Sequence, residues 1–458
     1  MKLENVILPS RGSTTTWDIT VEDGLVRTIQ ASQPAADHVK SNNAPSLLLP
    51  TLCHPHVHLD KPYILTGNHA PCSPVQPSYS DLVPRTGSFR EALTNTSKAK
   101  ERYTEQDLYL RGSQLLATSY GQGVTSLRAF VELDHVTGNL PLVTAMRLKE
   151  DFSHLMQVQI CAFAQDPLFS TDYGETNRSI ITAALKNYAR SVDVLGTTPY
   201  VEQSTEASQQ NIEWAITMAL EYDLHLDFHL DYNLNSPSVS RPLTYSVLEF
   251  LQKCKWADVA NKSKTIVLGH CTQLSVLPDS DFKRLAECIK SSKLPIHFVG
   301  LPTSDLFMMG RPDADVSHGR PRGTLQVLSM INDLGLSACV GVNNVGNAFT
   351  PYGTGDPLQL ASWAVGIYQA GTVDDAHILY ECVSGRAREA IGLDSDAGSG
   401  DIFEGKIWRP RLRVQNPPAS ELPSVAGDRL LRVEARPRLS LKDVVWDPPE
   451  VSLRSVIH

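Results

Sequence analysis

Residues 46–61 read Ser46-Leu47-Leu48-Leu49-Pro50-Thr51-Leu52-Cys53-His54-Pro55-His56-Val57-His58-Leu59-Asp60-Lys61. A short apolar run, SLLLP, leads into a segment with three histidines. In an extended strand residues i and i+2 point to the same side, so His56 and His58 aim two imidazoles into one space. Neutral imidazole is a good ligand for zinc or ferrous iron. An HxH pair alone fits two polar surface histidines equally well. The position of the strand within the larger pattern of the chain decides between the two. His54 is a further candidate ligand, although Pro55 beside it disturbs the strand.

Outward from this segment the chain repeats one pattern, an apolar or β-branched run with polar residues at its C-terminal end. After SLLLP into His54–His58 come VTSLRAFVELD (124–134), MQVQICAFAQD (156–166), VDVLGTTPYVE (192–202) and LHLDFHLDY (224–232). TIVLGHCTQ (265–273), LPIHFVGLPT (294–303) and SACVGVNNVG (337–346) complete eight. Helix-compatible stretches such as EQDLYLRGSQLLATSYGQG and NIEWAITMALEYD lie between them. Apolar strands alternating with amphipathic helices indicate a parallel sheet, and eight units over about 300 residues fit a (β/α)8 TIM barrel of the α/β class. A doubly wound open sheet is the rival, but no GxGxxG follows an early strand. Upstream, KLENVILP, WDITVEDG and GLVRTIQA read as short strands with a turn at Gly24, and residues 31–45 as a polar loop. Downstream, IFEGKIWRPRLRVQ and RLLRVEARPRL read as strands between Pro-rich loops. The expected organisation is a small β-sandwich domain formed by both chain ends, residues 1–48 and 396–458, around a barrel at 49–395.

The chain has 458 residues and a formal net charge of −9, with 41% apolar and 20% charged residues. That composition is ordinary for a globular protein long enough to bury a full core. The acidic balance argues against a general phosphate-backbone binder, so no nucleic acid is expected as partner. No apolar stretch approaches the roughly 18 residues needed to cross a bilayer, so no membrane is expected either. Eight cysteines, Cys53, Cys72, Cys161, Cys254, Cys271, Cys288, Cys339 and Cys382, form no CxxC pair, which argues against a thiolate zinc knuckle. The opening MKLENVILPSRG lacks the pattern of a signal peptide, and a reduced, cytoplasmic protein is expected. A homo-oligomer is left open.

Two more histidines join the first pair. His229 ends the fifth run and His270 the sixth, at the C-terminal strand ends where barrel active sites sit. A single histidine so placed is usually structural; four in register on strands one, one, five and six are harder to explain that way. This arrangement resembles the amidohydrolase superfamily. The wording of PHVHLDK, AFAQD (162–166), HLDYN and LGHCT, in that order, is similar to its cytosine deaminases and N-isopropylammelide amidohydrolases. The resemblance covers roughly residues 1–410. It implies that His56, His58 and His229 bind one divalent metal, zinc first, with iron or manganese as alternatives. It implies that His270 holds the hydroxide on that metal or the developing charge of the substrate. Gln165 falls where cytosine deaminases hold the pyrimidine with a glutamine.

The pattern breaks at two positions. Family deaminases carry a metal-binding, proton-accepting aspartate after strand eight, and here the stretch is Gly341-Val342-Asn343-Asn344-Val345. Asn343 can coordinate through its amide oxygen but has no useful basicity. A glutamate that shuttles a proton to the ring would stand three residues after the strand-five histidine, and here Tyr232 stands there. Tyrosine, with an ordinary pKa of about 10, is a different proton donor. Asp231, Asp60 and Asp305 are candidates for the missing base, each also readable as a solvated or structural carboxylate. Lys61 either binds a substrate carbonyl or carboxylate or pairs with an acidic neighbour. Thr303 and Asn344 are further candidates for the substrate pocket, and Met308 and Met309 fit its wall or the core. The segment GNAFTPYGTGDPL (346–358) reads as a loop over the barrel mouth, with Asp356 a distant candidate for the metal.

The expected function is a metal-dependent hydrolase acting on a C–N bond of a small, cyclic nitrogen-containing molecule. One alternative is a non-hydrolytic cyclase, hydratase or lyase on the same fold, with Tyr232 as acid. The other is a pseudoenzyme that binds without turnover.

Overall fold

The computed structural model describes residues 1–12, 14–33, 44–67, 76–312, 320–393, 401–425 and 430–458. Cys72 and positions 34–43 of the expected 31–45 loop lie outside the described residues. Eight strands run parallel in sequence order: β1 (Leu52–His58), β2 (Val124–Glu132), β3 (Gln157–Ala164), β4 (Val194–Thr197), β5 (His225–Leu230), β6 (Ile266–His270), β7 (Ile296–Gly300) and β8 (Ala338–Val340). Every residue of β1, β2, β4, β5, β6, β7 and β8 is buried. That is why these segments read as near-continuous apolar runs: helices cover one face and the barrel interior the other. The ring closes between β8 and β1. His58 N–H donates to the Asn343 carbonyl at 2.9 Å and Asn343 N–H to that of His56 at 3.0 Å, around a parallel bridge between Val57 and Asn343. The fold is a (β/α)8 barrel.

The SLLLP run does not belong to the barrel. Ser46–Pro50 pairs in parallel with Lys2–Ile7 and antiparallel with Arg411–Val414, inside a six-stranded sheet that also takes Trp17–Glu22, Leu25–Ala31 and Arg454–Ile457. The period-2 alternation of side chains explains its uninterrupted leucines. Leu47 and Leu49 pack into the barrel core, while Leu48 packs into the separate core of Leu3, Val6, Ile19 and Val26. The strand is apolar on both faces because it joins two cores. Ser420–Pro423 and Leu430–Val433 form a separate hairpin. No helix among the described residues is long and apolar enough to cross a membrane.

Inside the barrel, polar side chains form a layer beneath the C-terminal rim. Arg128 on β2 pairs with Asp227 on β5 at 2.9 Å and donates to Gln159 on β3 at 3.2 Å. Asp227 lies two residues before His229, on the same side of β5, so this buried pair floors the histidine site.

Candidate metal site

His56 and His58 on β1 and His229 on β5 converge at the C-terminal rim. One ligand atom from each lies within 4.8 Å of the others, and Nε2 of His56 is 3.0 Å from Nε2 of His229. The three rings are buried against aromatic walls: Phe130 stacks on His56 at 4.0 Å, and Phe163 lies 4.4 Å from His229. Burial first, then neighbouring positive groups such as Lys61, holds all three imidazoles well below their usual pKa. They are neutral, with lone pairs available to a cation. The backbone leaves room for this packing. A Cβ on Gly269 would stand 3.3 Å from Cε1 of His56, and one on Gly341 would stand 3.3 Å from its Cβ.

His54 does not join them. The register of β1 against β2 shifts between His54 and Val57, and the bulge at Pro55 turns His54 outward to Ser119 Oγ at 3.1 Å. Simple i, i+2 counting fails at that bulge and holds after it.

Beside the trio stands a second unit. His270 Nδ1 is 2.6 Å from Oδ1 of Asp305, whose Oδ2 accepts from Thr324 Oγ1 at 2.8 Å. His270 and Asp305 are both buried, and burial pushes the Asp305 carboxyl up while the His270 contact opposes that shift. A carboxylate only accepts, so Nδ1 carries the proton and Nε2 is left free. The ring centroid of His270 is 5.2 Å from that of His229 and 6.4 Å from that of His56. Three strand ends here hold non-glycine residues in left-handed backbone: Asp231 at φ 51°, His270 at 65° and Asn343 at 64°. Such strain persists only where the surrounding structure enforces it, and it clusters at functional sites.

Asn343 reaches the same space. Its Oδ1 is buried without a hydrogen-bond partner, and its side chain lies near enough to His58 to favour the protonated ring. An orphaned amide oxygen beside three neutral imidazoles fits a cation, which would satisfy it.

Other candidates are placed differently. The Asp231 carboxylate caps the helix Leu243–Lys253, accepting from Leu243 N–H at 2.7 Å and from Thr244 N–H and Oγ1 at 3.1 and 2.6 Å. Its left-handed backbone turns the side chain away from the side of His229 that strand alternation suggests. Asp356 caps the helix Pro357–Ile367 and pairs with Arg454 at 2.8 Å, tying the terminal sheet to the barrel. The Tyr232 hydroxyl donates to the Asp305 carbonyl at 3.0 Å, so its proton is committed there, while its ring lies 5.4 Å from His270. Lys61 pairs with Glu132, of the two options that the sequence leaves open the ionic one. Asp60 Oδ2 accepts from Glu132 N–H at 3.1 Å. Thr303 Oγ1 donates to the Val342 carbonyl at 3.2 Å, and Asn344 Oδ1 accepts from Asn347 at 2.7 Å. The Gln165 amide makes no hydrogen bond to the described residues. Residues 344–350 are buried, and Phe349 packs with Ala92 and Met308.

Several site residues were not singled out from the sequence. Glu132 holds both Lys61 and Lys100, and Lys100 also reaches Asp134 at 2.6 Å and Asp166 at 3.1 Å. Its position at the end of the second apolar run was a usable signal. Phe89 is 5.4 Å from Tyr232, and Tyr200 is 6.5 Å from His270; both come from loops and helix starts with no periodic signature.

No family model matches the chain, and no curated protein matches it. Solved structures do. The chain is similar to 5-methylcytosine deaminase from Klebsiella pneumoniae liganded with 5-fluorocytosine, with TM-score 0.71 and 20% identity over 91% of each chain. It is similar to N-isopropylammelide isopropylaminohydrolase from Burkholderia multivorans, with TM-score 0.66 and 18% identity over 98% of this chain and 94% of that one. A zinc complex of atrazine chlorohydrolase from Arthrobacter aurescens follows, with TM-score 0.56 and 15% identity over 87% of this chain and 83% of that one. At these identities the likeness is one of fold.

Proposed function

We propose that the chain is a metal-dependent hydrolase that cleaves a C–N bond of a small, cyclic nitrogen-containing molecule, by deamination or by amide or ring hydrolysis. The convergence of His56, His58 and His229 within 4.8 Å carries this reading. The deaminase and the isopropylaminohydrolase of like fold support the class of bond.

His56, His58 and His229 would hold one divalent cation, zinc first and iron or manganese next, with Asn343 Oδ1 as a neutral oxygen beside them. When bound, such an ion lowers the pKa of water and polarises the bond under attack. The base is the pair His270–Asp305 rather than an aspartate after β8. Asp305 accepts the Nδ1 proton at 2.6 Å and so keeps Nε2 as an acceptor. Nε2 takes the proton of the attacking water and returns it to the leaving nitrogen. Gln165 offers a donor and an acceptor, the complement of an amide edge on a ring. Phe89, Tyr200, Tyr232 and Phe349 exclude water from the reacting atoms. The non-hydrolytic alternative needs the Tyr232 proton, and that proton is engaged by the Asp305 carbonyl.

Elemental mass spectrometry of protein purified without chelators tests the metal, with a His56→Ala/His58→Ala control. About one zinc, iron or manganese per chain, lost in the control, is expected. Ammonia or amine release from aminopyrimidines and aminotriazines then tests the reaction. No metal even after zinc is added would overturn the reading.

A further inference from the structure

We propose that an arginine-lined cavity at the barrel mouth binds an anionic group, a carboxylate or a phosphate, carried by the molecule that is processed at the histidines. This rests on the hydrolase reading and extends it to the charge of the substrate.

The cavity, of about 620 Å³, lies between residues 83–87, residues 306–311 after β7, and Pro351–Tyr352 after β8. Arg85, Arg311 and Arg322 line it, and among the described residues no Asp or Glu does. The nearby carboxylate of Glu91 is consumed by the loop itself. It accepts from the backbone N–H of Arg85, Thr86 and Gly87 and from Thr86 Oγ1. Among the described residues no carboxylate forms an ion pair with any of the three guanidinium groups; Arg322 donates only to the Gly310 carbonyl, at 3.2 Å. Another cavity shows the contrast. Arg241 and Arg284 line it, and each is paired, with Glu249 and Asp281. In a chain of net charge −9, three arginines around one cavity with no ion-pair partner among the described residues run against the average field.

The cavity is built rather than incidental. Arg311 N–H donates to the Thr86 carbonyl at 2.8 Å, Ser88 bridges Met309, and Gly87 and Gly310 turn in left-handed backbone at φ 66° and 79°. A Cβ on Gly87 would stand 3.2 Å from the Phe307 ring, so the two loops meet closely. The cavity is also linked to the reaction centre. The Tyr352 hydroxyl donates to the Thr303 carbonyl, and Thr303 Oγ1 donates to the carbonyl of Val342, the residue before Asn343. Arg320 adds positive charge near Tyr232, whose ring contacts His270. A guanidinium fork matches carboxylate and phosphate oxygens in pairs. The three arginines are exposed, so each contact alone is weak, and several acting on one anion are what make a site.

Calorimetry on the zinc-loaded protein tests the site, with inorganic phosphate and succinate as probes at low salt. At least one probe should bind one per chain and weaken as salt rises. An Arg85→Gln/Arg311→Gln/Arg322→Gln variant should bind about tenfold less tightly. The His56→Ala/His58→Ala variant should keep the anion while losing the metal, which separates failure of this inference from failure of the hydrolase reading. Turnover then separates the sources: ring amines bearing a carboxylate, a phosphate or a neutral substituent are compared. kcat/KM of the favoured anionic compound should fall about tenfold in the triple variant, with the neutral one unchanged. No binding of either probe at about 10 mM, or equal binding by the triple variant, overturns the site. Equal loss of turnover for neutral and anionic compounds overturns its link to the substrate.

Discussion

Asp305→Asn is the substitution that most directly probes the proposed base. The carboxylate and the amide have nearly the same shape, and the Thr324 hydroxyl can still donate to an amide oxygen. What changes is the atom facing His270. In the protein as it stands, Oδ1 accepts from Nδ1–H at 2.6 Å, a short charge-assisted bond. With the amide oxygen retained by Thr324, the –NH2 group faces Nδ1. That nitrogen must then accept, and the imidazole proton moves to Nε2, which becomes a donor where an acceptor is needed. The same change of tautomer in the Ser-His-Asp template lowers kcat about 10⁴-fold. Here the comparable range is about 10²- to 10⁴-fold, or about 3 to 5 kcal/mol of barrier. Asp305 is not among the three ligands, so metal content should stay as it was. The assay is steady-state ammonia or amine release by zinc-loaded protein, read with elemental analysis on the same sample. A kcat within about threefold of the parent at full metal content would refute the assignment of the base.

Asn343→Asp should raise zinc affinity about tenfold or more in a chelator competition, because it puts a charge where a neutral oxygen now lies unpartnered beside His58; unchanged affinity would remove Asn343 from the site. Gly269→Ala should weaken zinc binding about 10- to 100-fold with little change in melting temperature, since its Cβ would press on His56 Cε1 at 3.3 Å. Lys61→Met should lower stability by about 3 to 5 kcal/mol in urea unfolding, because Glu132 is buried and would keep only Lys100, at 3.0 Å. Burial holds His54 and His297 down at about 4, below the unfolded value, so their neutral forms are favoured by folding. The stability these two histidines contribute is complete above about pH 6.5 and falls as pH drops toward 4. Between pH 7.5 and 5.0 the melting temperature of metal-free His297→Gln should fall less than that of the parent, and an equal change would remove His297 from this account.

The barrel was legible because its strands are buried on both faces. Seven of the eight apolar runs, from Val124 onward, contain the barrel strands in order. The eighth, SLLLP, is equally apolar for another reason, its place between two cores, and composition cannot tell these situations apart. His56 and His58 were visible because β-strand alternation projects over two residues, and His229 and His270 because they end apolar runs at the barrel's C-terminal face. His54 escaped that rule because a bulge is a property of pairing with β2, not of β1 alone. Asp231 escaped it because left-handed backbone at φ 51° redirects its side chain. The Glu132–Lys61–Lys100 network depends on which strand ends become neighbours across the rim, and no local spacing records that.

Charge accounting at the rim connects the base to the anion site. The trio is neutral, and the Asn343 amide oxygen beside it is neutral too, so these groups would supply no negative charge to a bound dication. Three nearby carboxylates have charged or histidine partners: Glu132 has Lys61 and Lys100, Asp227 has Arg128, and Asp305 has His270. A dication held there by neutral ligands would keep much of its charge in a site of low dielectric. That residual charge favours an anionic ligand, and the mouth arginines favour the same sign. Asn343→Asp therefore makes a second, opposed prediction. While it tightens zinc, it should reduce the preference for a substrate with an anionic arm, seen as a smaller ratio of kcat/KM between anionic and neutral ring amines. An unchanged ratio would mean that the arginines alone read the charge, and that Asn343 bears only on the metal.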